Sequence, residues 1–272
     1  MSDQQPTLAI AATIATTDSG GGAGIQADLK TFSACGVYGV SVAVALTAQN
    51  TVSVDAIHPL PLKFVRAQFD ALDRDLRPAA TKTGMLLSAR HIQQVSTELR
   101  RRQWGPLVVD PVMVSKSGVR LLEESAVETM RQELLPLALV VTPNWPEAAA
   151  LSGLPVEEEA QAIRAGQQIA ELGVEYVVVK GGHSKSDPTD LVVHGGQVTR
   201  IPGSRVRTRH THGTGCTFSA AITAYLARGW DPLPSITRAK EYVTAAIREA
   251  PGLGAGHGPL QHLPRGWPER TD

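Results

Sequence analysis

The chain reads as an α/β protein with a mainly parallel central sheet covered by helices on both faces. Three observations carry this reading. Short apolar, β-rich runs alternate with longer segments of helical period along the 272 residues. The runs are apolar at nearly every position rather than every second one, as strands buried on both faces are. The polar and glycine-rich stretches follow the runs, where open parallel sheets bind their ligands.

Strands are expected at Leu8–Ala15, Val40–Thr47, Leu107–Asp110, Leu139–Thr142 and Tyr176–Lys180. Helical segments include Ala23–Ala34, Leu62–Leu76, Ala89–Gln103, Glu124–Leu135, Glu157–Leu172 and Thr217–Ala227. "DLVVHGGQVTRIP" breaks the alternation, and two short strands around Gly195–Gly196 read as a hairpin. The tail from Pro251 is rich in Gly and Pro and reads as a surface wrap. Neither a repeat nor a linker is visible, so residues 1–272 read as one domain.

Composition narrows the partners. At 42% hydrophobic and 19% charged, the chain has the make-up of a globular protein with a full core. Lys plus Arg and Asp plus Glu both number 26, a net charge of zero that argues against nucleic acid and anionic membrane. Arg100–Arg102 reads as the basic last turn of a helix. "MSDQQP" lacks a cationic leader, and the apolar run after it is too short to span a bilayer. Cys35 and Cys216 lie far apart without metal-type spacing, as reduced thiols of a cytoplasmic protein do. Cys35, just before a helix-ending glycine, reads as a small core residue.

Five strand ends carry the residues with chemistry: Thr16 to Gly24, Gln49 and Asn50, Asp110 to Met113, Asn144 to Glu147, and Lys180 to His183. "GAGIQA" at Gly22–Ala27 fits a dinucleotide-binding turn, but that reading wants an acidic residue after the second strand, where Gln49 and Asn50 stand. "HGTGC" places Gly213, Thr214 and Gly215 before Cys216 at a helix start. Successive N–H groups there form an anion-binding nest aided by the helix dipole; a tight turn into a packed helix is the alternative. In "TPNWPEA", Asn144 and Glu147 suit a hard cation such as Mg²⁺, often held through water, although taken alone the motif favours an N-cap with an acidic first turn. Lys180, at the tip of "VVVK", either reaches solvent or neutralises phosphate oxygens. His183 and His212 lack a partner pattern marking a base and read as local hydrogen-bonding residues.

These pieces occur together and in order. Through "DSGGGAGIQADLKTF", "TAQNT", "TKTGML", "VVDPVMVSKSG", "TPNWPEAAAL", "VVVKGGH" and "THGTGCT" the chain resembles the ribokinase-like family. Within it, the likeness is to bacterial hydroxymethylpyrimidine and phosphomethylpyrimidine kinases of thiamine biosynthesis. The resemblance implies an α/β/α sandwich with a small flap and no large lid domain, a homodimer, and ATP and Mg²⁺ as cofactors. It implies phosphorylation of 4-amino-5-hydroxymethyl-2-methylpyrimidine and then of its monophosphate. Asp28, Gln49, Met85 and Val112 would form the pyrimidine pocket, with the Gln49 amide and Asp28 carboxylate pairing with the aminopyrimidine edge. Asp110, Asn144 and Glu147 would organise Mg²⁺, Lys180 would meet the phosphates beside the Thr214 turn, and Lys116 would sit on the flap.

Many ribokinase-like enzymes have an aspartate base at the fourth place of the glycine turn, whereas this branch has cysteine, here Cys216. Phosphoryl transfer depends more on positioning than on early proton removal, so a thiol can serve there. Near a helix N-terminus it can also have a lowered pKa and accept the hydroxyl proton late, or only position the substrate. A pyridoxal kinase on the same scaffold is the alternative, although Ser115 offers no second thiol in the flap; a non-catalytic pyrimidine-binding protein is the third reading. One departure stands out. The family's first strand usually ends "IAGSDSGGGAG", and this chain reads "IATTDSGGGAG", with Thr16 in place of glycine. Thr16 is expected to border the pocket and weaken ring binding, or to shift the backbone, because threonine tolerates fewer φ values.

Overall fold

The structure is a computed structural model that describes residues 8–113, 124–183 and 188–267. Six strands run parallel: β1 (Ile10–Thr16), β2 (Tyr38–Gln49), β4 (Ala80–Thr83), β5 (Leu107–Val109), β6 (Val140–Val141) and β7 (Tyr176–Val179). Antiparallel strands close the edges, β3 (Val54–Pro59) on β2, and the hairpin β8 (Asp190–His194) and β9 (Gln197–Ile201) on β7. The sheet order is β3-β2-β1-β4-β5-β6-β7-β8-β9.

The continuous apolar runs have a simple cause. Successive strand residues point to opposite faces, and both faces are covered. Leu107, Val109, Val141, Val177 and Val179 enter one core with Val65 and Phe69 of α2 (Leu62–Asp75). Ile92 of α3 (Ala89–Arg102) and Ile169 of α6 (Glu159–Ala170) complete that side. Val108, Val140 and Val178 enter the other core with Phe32 of α1 (Gly24–Ala34), Phe218 of α7 (Thr214–Ala227) and Tyr242 of α8 (Pro232–Arg248). Each fully buried valine contributes roughly 1.5–3 kcal/mol, so a polar residue on either face is selected against. The three-layer α/β/α sandwich implied by the ribokinase-like resemblance is the one observed.

Two strands depart from the expectation. β4 has no apolar run, since "ATKT" carries Lys82, which is fully buried and paired with a carboxylate. β3 is an edge strand whose Asp55, Ala56, His58 and Pro59 face solvent, so burial leaves no pattern on it. The helix expected to Leu135 changes form midway. α4 (Glu124–Thr129) runs into a π-turn at Met130–Leu134 and a 3₁₀ turn at Leu135–Leu137. Pro136 lacks the N–H that an α-helix would donate to Gln132, so the α ladder gives way before it.

Arg100–Arg102 do form the last turn of α3, but Arg102 is more than an end charge. Its guanidinium is buried among Asp70, Asp73 and Glu98 and lies 5.6 Å from the Phe69 ring centroid. Among the described residues no helix is long and apolar enough to cross a membrane.

Strand order also locates the site. The chain leaves β1 for β2 on one side and returns to β4 on the other, so the winding reverses between β1 and β4. A crevice opens at the carboxyl ends of such strands. Thr16 ends β1 at this point, and Gly84 and Met85 follow β4.

Candidate active site

The turn after β1 is organised by a residue that sequence reasoning overlooked. The Asp18 carboxylate accepts the N–H groups of Gly20 (2.8 Å), Gly22 (3.0 Å) and Ala23 (2.8 Å), folding the glycines into a loop ahead of α1. His212 Nε2 lies 2.9 Å from the same carboxylate. Burial opposes the charge on Asp18, but His212 and these N–H groups outweigh it and hold the pKa below the usual carboxylate range. The loop also meets the second glycine turn. A Cβ on Gly22 would stand 2.6 Å from His212 Cδ2, and one on Gly213 would stand 1.8 Å from the Gly22 carbonyl oxygen. Two turns nearly 200 residues apart in sequence thus build one wall.

Gly213 adopts φ 78° and caps α7. The first intrahelical bond there runs from Thr217 N–H to the Gly213 carbonyl (2.8 Å). The N–H groups of Gly215 and Cys216 precede it, and both residues line the cavity. The Thr214 hydroxyl is engaged locally with the Thr211 carbonyl (2.8 Å). Beside this turn Lys180 Nζ lies 3.2 Å from Asp110 Oδ1 and 3.7 Å from Glu147 Oε2. Burial disfavours the ammonium, but the two carboxylates overcome it and raise the Lys180 pKa. Glu147 moves upward as well, because burial and the Asp110 charge outweigh its attraction to Lys180. A cation between two carboxylates, beside the N-terminal turn of α7, has the charge to meet an oxyanion.

Asn144 and Glu147 realise the capping alternative. Asn144 Oδ1 accepts the Glu147 N–H (2.9 Å), and the Glu147 carboxylate accepts the Asn144 N–H (2.7 Å), a reciprocal box that starts α5 (Trp145–Ser152). One lone pair of the Asn144 amide oxygen is therefore engaged in the cap. Among the described residues no group of three or more His, Cys, Asp or Glu forms a metal cage. Asp110 and Glu147 still suit Mg²⁺, which usually keeps several waters and takes one or two carboxylates plus substrate phosphates.

The environment of Cys216 opposes a lowered pKa. Burial is the largest influence and pushes its thiol up to about 12. Lys82 and the Gly24 N–H favour the thiolate, but the Asp110 and Asp28 carboxylates oppose it. The helix N-terminus therefore does not prevail, and the neutral thiol is favoured over the thiolate.

These groups line one cavity of about 1320 Å³. That exceeds the roughly 300–1,000 Å³ of an ordinary small-molecule site and leaves room for two ligands side by side. Its lining includes Thr16, Gln49, Met85, Val112 and His212, and also Lys240, Val243, Thr244 and Ile247 of α8 with Ser204–Val206. Gly213–Cys216, Asp110 and Lys180 line the same cavity. Gln49 Nε2 lies 3.2 Å from His212 Nε2. Because the Asp18 carboxylate requires a proton from that nitrogen, the Gln49 amide is better satisfied with its oxygen toward His212 and its NH₂ free.

Other expected residues are placed differently. Asp28 does not line the cavity: it is 0% exposed, with Oδ1 2.6 Å from Lys82 Nζ and Oδ2 accepting the Thr13 hydroxyl at 2.6 Å. Its partner lies 54 residues away, so the pairing had no local signal. Thr16 does border the cavity, and its N–H donates to the Met85 carbonyl (3.2 Å). Its φ is not positive, so no backbone strain arises; β1 instead shifts register against β2 between Ala15 and Thr16. Lys116, Ser115 and the His183 side chain lie outside the described residues. Besides Asp18, sequence reasoning missed Lys82, Lys240 and the tertiary role of His212. An aspartate before three glycines is a turn signal that points to Asp18.

Comparison with known proteins agrees with this geometry. The family model described as phosphomethylpyrimidine kinase matches residues 18–261. The chain is 47% identical over 256 residues to the hydroxymethylpyrimidine/phosphomethylpyrimidine kinase of Haemophilus influenzae, covering 92% of this chain and 95% of that one. It is 50% identical over 264 residues to the protein of the same name in Rhizobium meliloti, covering 95% and 98%. Among solved structures, an ADP complex of Bacillus subtilis pyridoxal kinase superposes with a TM-score of 0.88 at 37% identity, covering 94% and 98%. With its fold, its paired glycine turns and relatives matched over nearly their whole length, the chain belongs to the phosphomethylpyrimidine kinase family.

Proposed function

We propose that the protein transfers the γ-phosphoryl group of ATP to 4-amino-5-hydroxymethyl-2-methylpyrimidine and then to its monophosphate, in thiamine biosynthesis. The observation that carries this is one cavity lined jointly by the Gly213–Cys216 turn, Asp110 and Lys180, by the Gln49–His212 pair and by residues of α8. The freed Gln49 NH₂ suits the ring nitrogen of the aminopyrimidine, and Met85 and Val112 suit its faces. The α8 part of the lining suits the nucleotide, whose phosphates would reach Lys180 and the N–H groups of Gly215 and Cys216. Asp110 and Glu147 would hold Mg²⁺, largely through water, and Mg²⁺ neutralises phosphate charge when bound. The same reading takes the chain as one catalytic domain of a cytoplasmic homodimer; sedimentation at micromolar concentration tests the dimer.

Pyridoxal is the second candidate substrate, favoured by the likeness to the Bacillus subtilis pyridoxal kinase. ATP turnover with each ring compound, with and without Mg²⁺, separates the readings. Turnover is expected with the pyrimidine and to depend on Mg²⁺. Equal or greater turnover on pyridoxal would displace the pyrimidine, and none on either would leave a binding protein.

Thr16 yields a specific prediction. Its side chain adds three heavy atoms beside the proposed ring site, so Thr16→Gly should lower KM for the hydroxymethylpyrimidine, with a smaller change in KM for ATP. Steady-state kinetics of the folded variant provides the check; an unchanged or raised pyrimidine KM means that threonine does not crowd the ring.

A further inference from the structure

The floor beneath the glycine turn holds a charge pair that the chemistry above does not use. Lys82 and Asp28 are both 0% exposed and lie 2.6 Å apart. A buried pair is a weak stabiliser, because losing water costs several kcal/mol per ion, and apolar residues would hold β4 against α1 as well. Its location is more telling. Lys82 Nζ lies 3.5 Å from the Cys216 carbonyl oxygen, which also accepts the Ser219 hydroxyl (3.1 Å). Ser219 Oγ in turn lies 3.4 Å from Asp110 Oδ2. The peptide that begins with the Cys216 carbonyl continues into the Thr217 N–H, which closes the turn on Gly213 (2.8 Å). One ammonium therefore touches α1, through Asp28, and the first turn of α7, which carries the proposed phosphate cradle.

Charge points the same way. Asp28 and Asp110 bring two carboxylates close to Cys216, and Lys82 is the cation that most favours negative charge on the thiol. Without Lys82, a reaction that gathers negative charge at this floor would meet carboxylates with one less counter-charge.

We propose that Lys82, clamped by Asp28, is a positioning residue for phosphoryl transfer: it pins the Cys216 carbonyl, fixes the depth and direction of the Gly213–Cys216 turn, and keeps the floor of the site electrically balanced. This rests on the proposed kinase function, and one arm of its test does not. Lys82→Met is expected to lower kcat by roughly 10–100-fold, the penalty of a slightly misplaced reacting group, with little change in either KM. Independently of any substrate, alkylation of Cys216 by iodoacetamide at pH 9, followed on its peptide by mass spectrometry, should slow by roughly tenfold or more once the nearby cation is gone. Asp28→Asn should speed alkylation, since the ammonium is no longer neutralised, while still lowering kcat through the loosened clamp.

Because Lys82→Met leaves Asp28 buried without its partner, Lys82→Met/Asp28→Leu supplies a variant with neither charge. It should fold and retain the 10–100-fold loss in kcat. A folded double variant with wild-type kcat overturns the proposal, as does unchanged Cys216 alkylation in both Lys82→Met and Asp28→Asn. If the wild-type protein turns over none of the ring compounds, the kinase reading fails, and alkylation alone decides the electrostatic role of Lys82.

Discussion

Cys216→Ala is expected to lower kcat by roughly 10²-fold, the lower end of what loss of a proton-handling group costs, while leaving ADP affinity nearly unchanged. The magnitude follows from weighing two roles. With its thiol at about 12, forming the thiolate at pH 7 costs about 7 kcal/mol, at about 1.4 kcal/mol per pH unit. General-base assistance returns about 3–5 kcal/mol, equivalent to roughly 10²–10⁴-fold. A preformed thiolate therefore loses. Phosphoryl transfer passes through a loose transition state in which little proton removal is needed early, so a neutral thiol that orients the hydroxyl suffices. Nucleotide binding survives the substitution because the cradle is made of backbone N–H groups. Cys216→Ser should accordingly retain more activity than Cys216→Ala. The opposite result would be a tenfold rise in kcat per pH unit between pH 7 and 9 that disappears in Cys216→Ala; it would show that the thiolate is the base.

The contrast between the expected and observed thiol shows what a linear reading reaches. The helix start at Thr214 was legible, because two glycines followed by small and apolar residues announce it. The opposing charges were not, because Asp28 and Asp110 arrive from α1 and the end of β5. Local features were read well for the same reason. Asn144 and Glu147 stand three apart, so both of their possible roles, cap and cation site, followed from spacing, and the cap is realised in full. The hairpin around Gly195–Gly196 was equally local. Asp28 was misplaced because its fate depends on Lys82, in a strand without an apolar run. His212 escaped because its partners, Asp18 and Gln49, are 194 and 163 residues away. Strands buried on both faces were evident from their unbroken apolar runs, whereas β3, exposed along its edge, carries no such imprint.

Gly213→Ala should damage the site severely, with ADP affinity and kcat/KM each falling by roughly 10²-fold or more, as expected when a site is displaced by about an ångström. Two costs combine at this position. The backbone has φ 78°, where an L-residue pays about 1–2 kcal/mol of steric strain. In addition, the new Cβ would stand 1.8 Å from the Gly22 carbonyl oxygen and 3.2 Å from Ala23 Cα. Both obstacles are backbone, held by the Asp18 carboxylate through Gly22 and Ala23 N–H, so neither can rotate aside as a long side chain would. The two glycine turns must separate, and the wall they share at His212 opens with them. Gly153→Ala isolates the first cost. Gly153 has φ 74°, and nothing lies within 4 Å of the added carbon, so this variant should lose about 1–2 kcal/mol of stability and keep ADP binding. Thermal unfolding and ADP titration of both variants separate strain from collision. Matching losses in the two would mean that the turns part without consequence and that contact between them does not shape the site.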